Sequence, residues 1–386
     1  MAERALAHVE KIEWVKPIEG ADNIELIGVL GWVCVAKKGE FQPGDLAVYI
    51  EIDSKCPADD ERFAFLASRK FRVRTMKLNR FQVISQGLAL LLEQFGELKN
   101  VKIGTDVTKE LKITYALEED IRRKMEGVDP MARYNAMAAR RKRFAKKRWF
   151  QWLMRREWGR RLLFAIFGKK QDNPLEFPKW IVKTDETRIE NAPFYLQSQE
   201  TWVKTEKCDG TSCTFAVERY KKNKDQFEFI VCSRNVRQAS RKQECYHDAN
   251  IYWELADKYQ MESVLTEFAI RHKCQYVVLQ GEGVGFVQGN PYKLKENRLY
   301  VFNLIVDGVR KNTQEMAQFC KEHGLTPVPV IDTNYVLPKT MEEMKLEADG
   351  RSRINPDVPR EGFVYRSQDG QKSFKNVSRE YLLTHE

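Results

Sequence analysis

VKTEKCDGTS (Val203–Ser212) holds the pattern on which the reading of this chain turns: a lysine, one intervening residue, then Asp-Gly. Lys207-Cys208-Asp209-Gly210 is short, and at average residue usage K-x-D-G arises by chance in roughly one chain in ten of this length. Taken alone it reads as a surface turn, for which Asp-Gly is well suited. Its meaning depends on what surrounds it.

Downstream, apolar strand-like runs recur: SCTFAVE (212–218), FEFIVCS (227–233), YVVLQGE (276–282), RLYVFNLIVD (298–307) and EGFVYRS (361–367). Between them, ANIYWELADKYQMESVLTEFAIRHK (249–273) predicts a helix. Mixed strands and helices over 176–386 imply an α+β domain of ordinary size. Polar groups punctuate these runs in a set order. They are Ser233-Arg234-Asn235, Gln280-Gly281-Glu282-Gly283, Phe302-Asn303, Glu361-Gly362-Phe363-Val364 and Lys372-Ser373-Phe374-Lys375.

Upstream, residues 1–115 read as short strands and turns. LAVYIEID (46–53) follows the turn-like Gln42-Pro43-Gly44-Asp45, and short strands with Gly and Pro punctuation predict a small barrel. Phe71–Thr75 alternates, which places Arg72 and Arg74 on one face of a predicted strand. With Lys77 they form either a nucleic-acid face or an ordinary solvated one. Residues 116–175 differ: Ala, Arg, Leu, Lys and Met predominate, and these form helices well. Within 121–170 stand seventeen Lys/Arg and three Asp/Glu, a balance of +14 in a chain whose net charge is +10. The basicity therefore belongs to this segment, and it points to a polyanion contact there. Trp149, Phe150, Trp152 and Trp158 are interleaved with arginines. Such a face can pair phosphates and stack bases; it can equally be a helical hairpin whose aromatics pack on a neighbour. If the first holds, deleting the segment lowers affinity and flattens its salt dependence.

Bulk properties remove other classes. No run of eighteen apolar residues occurs, so no membrane span is expected. MAERALAHVEKIEW has no apolar signal core, so a cytoplasmic site of action is expected. The eight cysteines form no C-x-x-C pair, and none clusters with histidine at zinc spacing. They read as reduced, partly buried thiols.

In the order of its motifs the chain resembles the covalent nucleotidyltransferases: RNA ligases, DNA ligases and capping guanylyltransferases. Phe177-Pro178, the run from Lys183 to Ile189 (KTDETRI) and GEGVGFVQGNPYKL (281–294) narrow the resemblance to RNA ligases with an N-terminal OB domain, the group typified by enzymes of Deinococcus and Naegleria. The front half agrees, since PIEGADNIE, KKGEFQPGD and VYIEID resemble that OB module. The resemblance spans about 1–115 and 176–386 and leaves out the basic segment. It implies an N-terminal OB-like β-barrel over 1–115 and a nucleotidyltransferase domain over 176–386, an α+β arrangement in which the composition of 116–175 predicts a basic helical insert.

The resemblance also implies roles. Lys207 matches the nucleophile that forms a lysyl-AMP intermediate from ATP. AMP then passes to a 5′-phosphate and a 3′-hydroxyl displaces it, with nicks in duplex nucleic acid as the expected substrate. Glu282, Glu361 and Asp209 match the carboxylates that hold Mg²⁺ or Mn²⁺ through its waters, and hard oxygen donors suit such ions. Glu206 resembles the residue that contacts adenine, and Phe302 the aromatic that stacks on it, although Phe302 is also readable as plain core. Arg234 and Asn235 match groups on the ribose or phosphate. Lys183 lies in a family-like segment. Lys375 matches the lysine that grips the α-phosphate. The usual K-x-K pair is broken by Ser373 and Val377, so Lys372 is a candidate substitute. The long C-terminal OB extension of DNA ligases and capping enzymes is not expected after this motif, which favours an RNA ligase among these relatives. RNA or an RNA-containing duplex is the expected partner, with no membrane. The alternatives are a nucleotidyltransferase that caps RNA or seals DNA, and a non-catalytic OB protein that binds nucleic acid.

Overall fold

The computed structural model describes residues 5–98, 100–115, 177–220, 225–238, 241 and 250–385. The basic segment, predicted as helical over 116–175, lies outside the described residues.

The first part of the chain is built from β1 (Ala7–Pro17), β2 (Ile24–Val29), β3 (Trp32–Lys37), β4 (Leu46–Ile50), β5 (Ser54–Lys55), β6 (Met76–Leu78), β7 (Val83–Ser85), β8 (Leu88–Leu91) and β9 (Thr114–Tyr115). The main sheet runs β3-β2-β1-β4-β8, and its paired neighbours are antiparallel. The first half of β1 pairs β4 and its second half pairs β2, with a register shift between Ile12 and Trp14. A shift of this kind bends a strand and raises its twist, which curls the sheet. Along β4 the side chains alternate between two cores. Val48 and Ile50 join Val9, Phe63 and Phe95, while Ala47 and Tyr49 join Ile27 and Trp32.

Phe71–Thr75 does not form the predicted strand. A 3₁₀ helix (Glu61–Arg69) ends there with Lys70 and Phe71 at positive φ. The N–H groups of Phe71 and Arg72 turn back onto the carbonyls of Leu66 and Arg69. Backbone donors used in that turn are not available to a ladder, and the strand starts at Met76.

The second part holds two sheets. One, ordered β10-β20-β19-β11-β18, uses β10 (Thr187–Arg188), β11 (Thr201–Lys207), β18 (Val330–Val336), β19 (Gly362–Ser367) and β20 (Ser373–Val377). The other, ordered β13-β12-β14-β15-β16, uses β12 (Thr211–Arg219), β13 (Phe227–Cys232), β14 (Tyr276–Val284), β15 (Arg298–Val306) and β16 (Val309–Arg310), with β17 (Thr326–Pro327) parallel on β15. The predicted helix at 249–273 is two helices, α1 (Ile251–Lys258) and α2 (Met261–Arg271), because Gln260 takes φ +50° between them. Asn250 caps α1 by accepting from the Trp253 N–H. Together with α3 (Thr313–Glu322) they bury Leu255, Leu265 and Phe319 against Phe215, Leu279 and Val301 of the second sheet. Helix α4 (Met341–Ala348) packs beside β20 on the first sheet, and α5 (Arg379–His385) follows that strand, with Leu382 in the cluster of Trp32 and Tyr49.

The two parts share a polar and apolar seat. Asn191 accepts from Trp32 Nε1 at 2.6 Å and donates to Glu51. Arg188 pairs with Asp53 at 3.1 Å, Gly31 N donates to Glu190 O at 2.9 Å, and Lys345 Nζ donates to Gly31 O at 2.8 Å. Val377 and Leu382 are buried in the same cluster as Trp32 and Tyr49. The seven cysteines among the described residues are buried free thiols. Among those residues no helix is long and apolar enough to cross a membrane.

Candidate active site

Lys207 is the last residue of β11, opposite Gly362, the first of β19. Gly362 has φ +149°, and a Cβ there would stand 2.2 Å from the Asn376 carbonyl oxygen, so the position admits no side chain without backbone movement. This close approach brings Glu361 beside the lysine, with Lys207 Nζ 2.5 Å from Glu361 Oε1. Gly210 works similarly on the other side. It is buried, and a Cβ would meet Gly283 O at 2.3 Å. The Asp-Gly pair is thus a tight joint that lays β12 on β14, with Ser212 opposite Glu282, and not the exposed turn that the motif alone suggests.

Three carboxylates surround the amine. Burial draws the Lys207 ammonium toward a lower pKa. Glu361, Glu282 and Asp209 together outweigh burial and hold it above the ordinary lysine value. The converse acts on the acids. Burial pushes Glu282 up to about 8, opposed by Lys207 and reinforced by Glu361 and Asp209. Glu361 is raised by burial, against the pull of Lys207. Glu361 Oε2 is buried with no hydrogen-bond partner among the described residues. Such an oxygen costs free energy unless something positive meets it. Among the described residues no three His, Cys, Asp or Glu side chains are disposed to grip one ion directly. The donor set is hard oxygen and lightly satisfied, which fits a divalent cation that keeps its waters.

Lys375 and Arg234 converge on one acid. Lys375 Nζ lies 2.9 Å from Asp185 Oδ1, and Arg234 lies 3.3 Å from Asp185 Oδ2. Lys375 is also close enough to Glu361 to lower its pKa. Strand register separates it from its neighbours. Ser373 binds Glu186 and Arg310, and Val377 is buried against the OB core. Lys372, the candidate substitute, does not reach the cluster. It pairs with Glu200 at 2.6 Å, just before β11 begins. Lys207 ends that strand, roughly 20 Å away at the usual strand rise.

Lys183 Nζ donates to Asn235 Oδ1 at 3.0 Å, and both are exposed. Arg188, from the same family-like segment as Lys183, faces the OB domain. Glu206 is buried, and its two oxygens accept from Ser352 Oγ at 2.5 Å and Arg353 N at 2.7 Å. Each oxygen can accept once more. Phe302 is half-buried against Cys208, Val284, Tyr292, Tyr300, Val328 and Val358. This cluster is formed by the second sheet (Val284, Tyr300 and Phe302) and by the loops beside it.

Asp185, Ser352, Tyr292 and Tyr381 were not singled out by the sequence reading. Tyr292 Oη accepts from Asp209 N at 2.7 Å, and Tyr381 donates its hydroxyl to Asp209 Oδ2. Asp185 was visible inside KTDETRI, but nothing in its spacing says that two cations meet on it.

A family model described as RNA ligase matches residues 200–378, and one described as an OB-fold domain matches residues 6–92. Among solved structures, Naegleria gruberi RNA ligase with PPi is 29% identical, with a TM-score of 0.74 over 99% of each chain. The same figures hold for a mutant of that ligase with AMP and Mn. Another mutant, with ATP and Mn, is 28% identical with a TM-score of 0.73, over 98% of this chain and 99% of that one. No curated protein matches the chain.

Proposed function

The chain belongs to the ATP-dependent RNA ligases that carry an OB-fold domain ahead of the ligase domain, and we propose that it seals RNA through an AMP adduct on Lys207. The observation that carries this reading is the Lys207 amine 2.5 Å from Glu361, with Glu282 and Asp209 near enough to raise its pKa.

The amine attacks the α-phosphorus of ATP only when neutral. Nζ forms a bond to phosphorus as the bond to the β-phosphate oxygen breaks and pyrophosphate leaves. The proton that Nζ loses lies in the hydrogen bond to Glu361 Oε1. Mg²⁺ or Mn²⁺, held through its waters by Glu282, Glu361 and Asp209, would supply positive charge that lowers the lysine pKa and offsets phosphate charge. Lys375 and Arg234, oriented by Asp185, bind the phosphate. Phe302 offers its ring to adenine, Glu206 accepts from the base, and Lys183 with Asn235 line the rim toward the ribose and phosphates. AMP then moves from Nζ to an RNA 5′-phosphate, and a 3′-hydroxyl attacks that phosphorus with AMP as leaving group. Here the protein acts mainly by placement and charge.

For the acceptor we favour a nick in a duplex. The OB domain seated against the ligase domain suits a substrate that spans both. Incubation with α-labelled ATP and Mn²⁺ should label the wild-type chain and leave Lys207→Ala unlabelled. Label on the mutant would remove Lys207 from its role. Sealing compared on nicked duplexes and on single strands tests the preference for a nick.

A further inference from the structure

We propose that Tyr381 is a positioning residue for AMP transfer to Lys207, and that its placement depends on Leu382 being buried in the core of the OB domain. The proposal rests on the reading of Lys207 and Asp209 given above.

The start of α5 is pinned at the site. Ser378 N donates to Glu361 O at 2.9 Å. Ser378 Oγ donates to Asp349 Oδ1 at 2.7 Å and accepts from Tyr381 N at 3.0 Å. Two consecutive residues of the helix then serve different domains. Tyr381, 9% exposed, donates its hydroxyl to Asp209 Oδ2. Leu382, 5% exposed, packs in the cluster that includes Ile12, Trp32, Tyr49 and Val377. Asp209 is therefore held twice: its backbone N–H by Tyr292 and its carboxylate by Tyr381.

The consequence is geometric. Asp209 stands two residues after Lys207, next to Gly210, whose backbone packs closely on the Gly283 carbonyl. With its N–H and its carboxylate both tied, the turn that follows the nucleophile is held in one arrangement. Without the Tyr381 bond one of those ties is lost, and the amine is less well aimed at the α-phosphorus. The helix that prevents this is anchored in the other domain, so seating of the OB domain bears on the geometry of the nucleophile.

Tyr381→Phe keeps the ring and removes the bond. Its rate of Lys207 labelling at saturating ATP should fall about tenfold, the scale of a hydrogen bond to a charged group. The KM for ATP should stay within about twofold, since the loss falls on the chemical step, and the thermal midpoint within about 2 °C. A wild-type labelling rate overturns the proposal, and so does a rate loss that only follows a fallen midpoint. Leu382→Ala should slow labelling in the same way, and the double variant should be no slower than the slower single one. Losses that multiply overturn the link to the OB core. Label on a Lys207→Ala control would instead break the underlying assignment of the nucleophile.

Discussion

An amine among three carboxylates is in the wrong protonation state for attack, so the site works only when its charge is rebalanced. Glu282 is the group to watch. Its folded pKa of about 8 lies above its ordinary value of 4.5, so the protonated carboxyl favours the fold. That contribution is complete below the unfolded pKa and is lost as pH rises through about 8. Without divalent cation the thermal midpoint should fall between about pH 4.5 and 8, where the folded chain keeps a proton that the unfolded chain has lost, and level off above. Glu282→Gln should flatten that fall, and Mn²⁺ should restore the wild-type midpoint above pH 8, where the ionised acid can hold the ion. Lys207 labelling at limiting Mn²⁺ should rise as pH passes through about 8, where Glu282 ionises in the folded chain; a profile flat from pH 6 to about 9 would dissociate Glu282 from the cation. At this scale the acids and the lysine were legible in residue type and order. Tyr381 was not, because a phenol far along the chain reaches Asp209 only through the packing of α5.

Between elements, the decisive contacts are backbone approaches that glycine permits. Gly362→Ala should destabilise the chain by more than ~1 kcal/mol, since φ +149° and the Asn376 carbonyl at 2.2 Å both oppose a side chain. Labelling should fall with it, because Glu361 precedes this residue and contacts Lys207. Urea unfolding together with labelling checks the pair, and a variant of wild-type stability would contradict the geometry. The same register explains why Lys375 and Lys372 differ in place. They look alike in sequence, yet one lies in the ladder row of Val364 and Thr205 and the other follows the hairpin turn beside Glu200. The split of the predicted helix at Gln260 was likewise hidden, since no Gly or Pro marks it.

Across the whole molecule, the OB domain is joined to the ligase domain by buried polar groups as well as by apolar area. His8 contacts Glu10 at 2.8 Å and Glu51 at 3.5 Å, and Glu51 in turn accepts from Asn191 of the ligase domain. Burial lowers the His8 pKa, but the two glutamates overcome it and raise it to about 9. Its stabilisation is therefore full below the ordinary value of 6.5 and is lost as pH rises through about 9. Asn191→Ala leaves both Glu51 and Trp32 Nε1 short of a partner and should cost about 1–3 kcal/mol. Chemical denaturation should then show the two domains unfolding at separate midpoints, and a single unshifted transition would argue against this seat.

By itself the sequence determined the α+β character of the ligase domain, the barrel-like front, and the order of a lysine, two glutamates and a second lysine. Those features follow from local periodicity and residue type, which a chain carries before it folds. Only the tertiary structure decided which lysine joins the cluster, that Asp185 gathers two cations, and that α5 ties Asp209 to the OB core. These depend on strand register and on burial between distant segments, and neither leaves a trace in spacing along the chain.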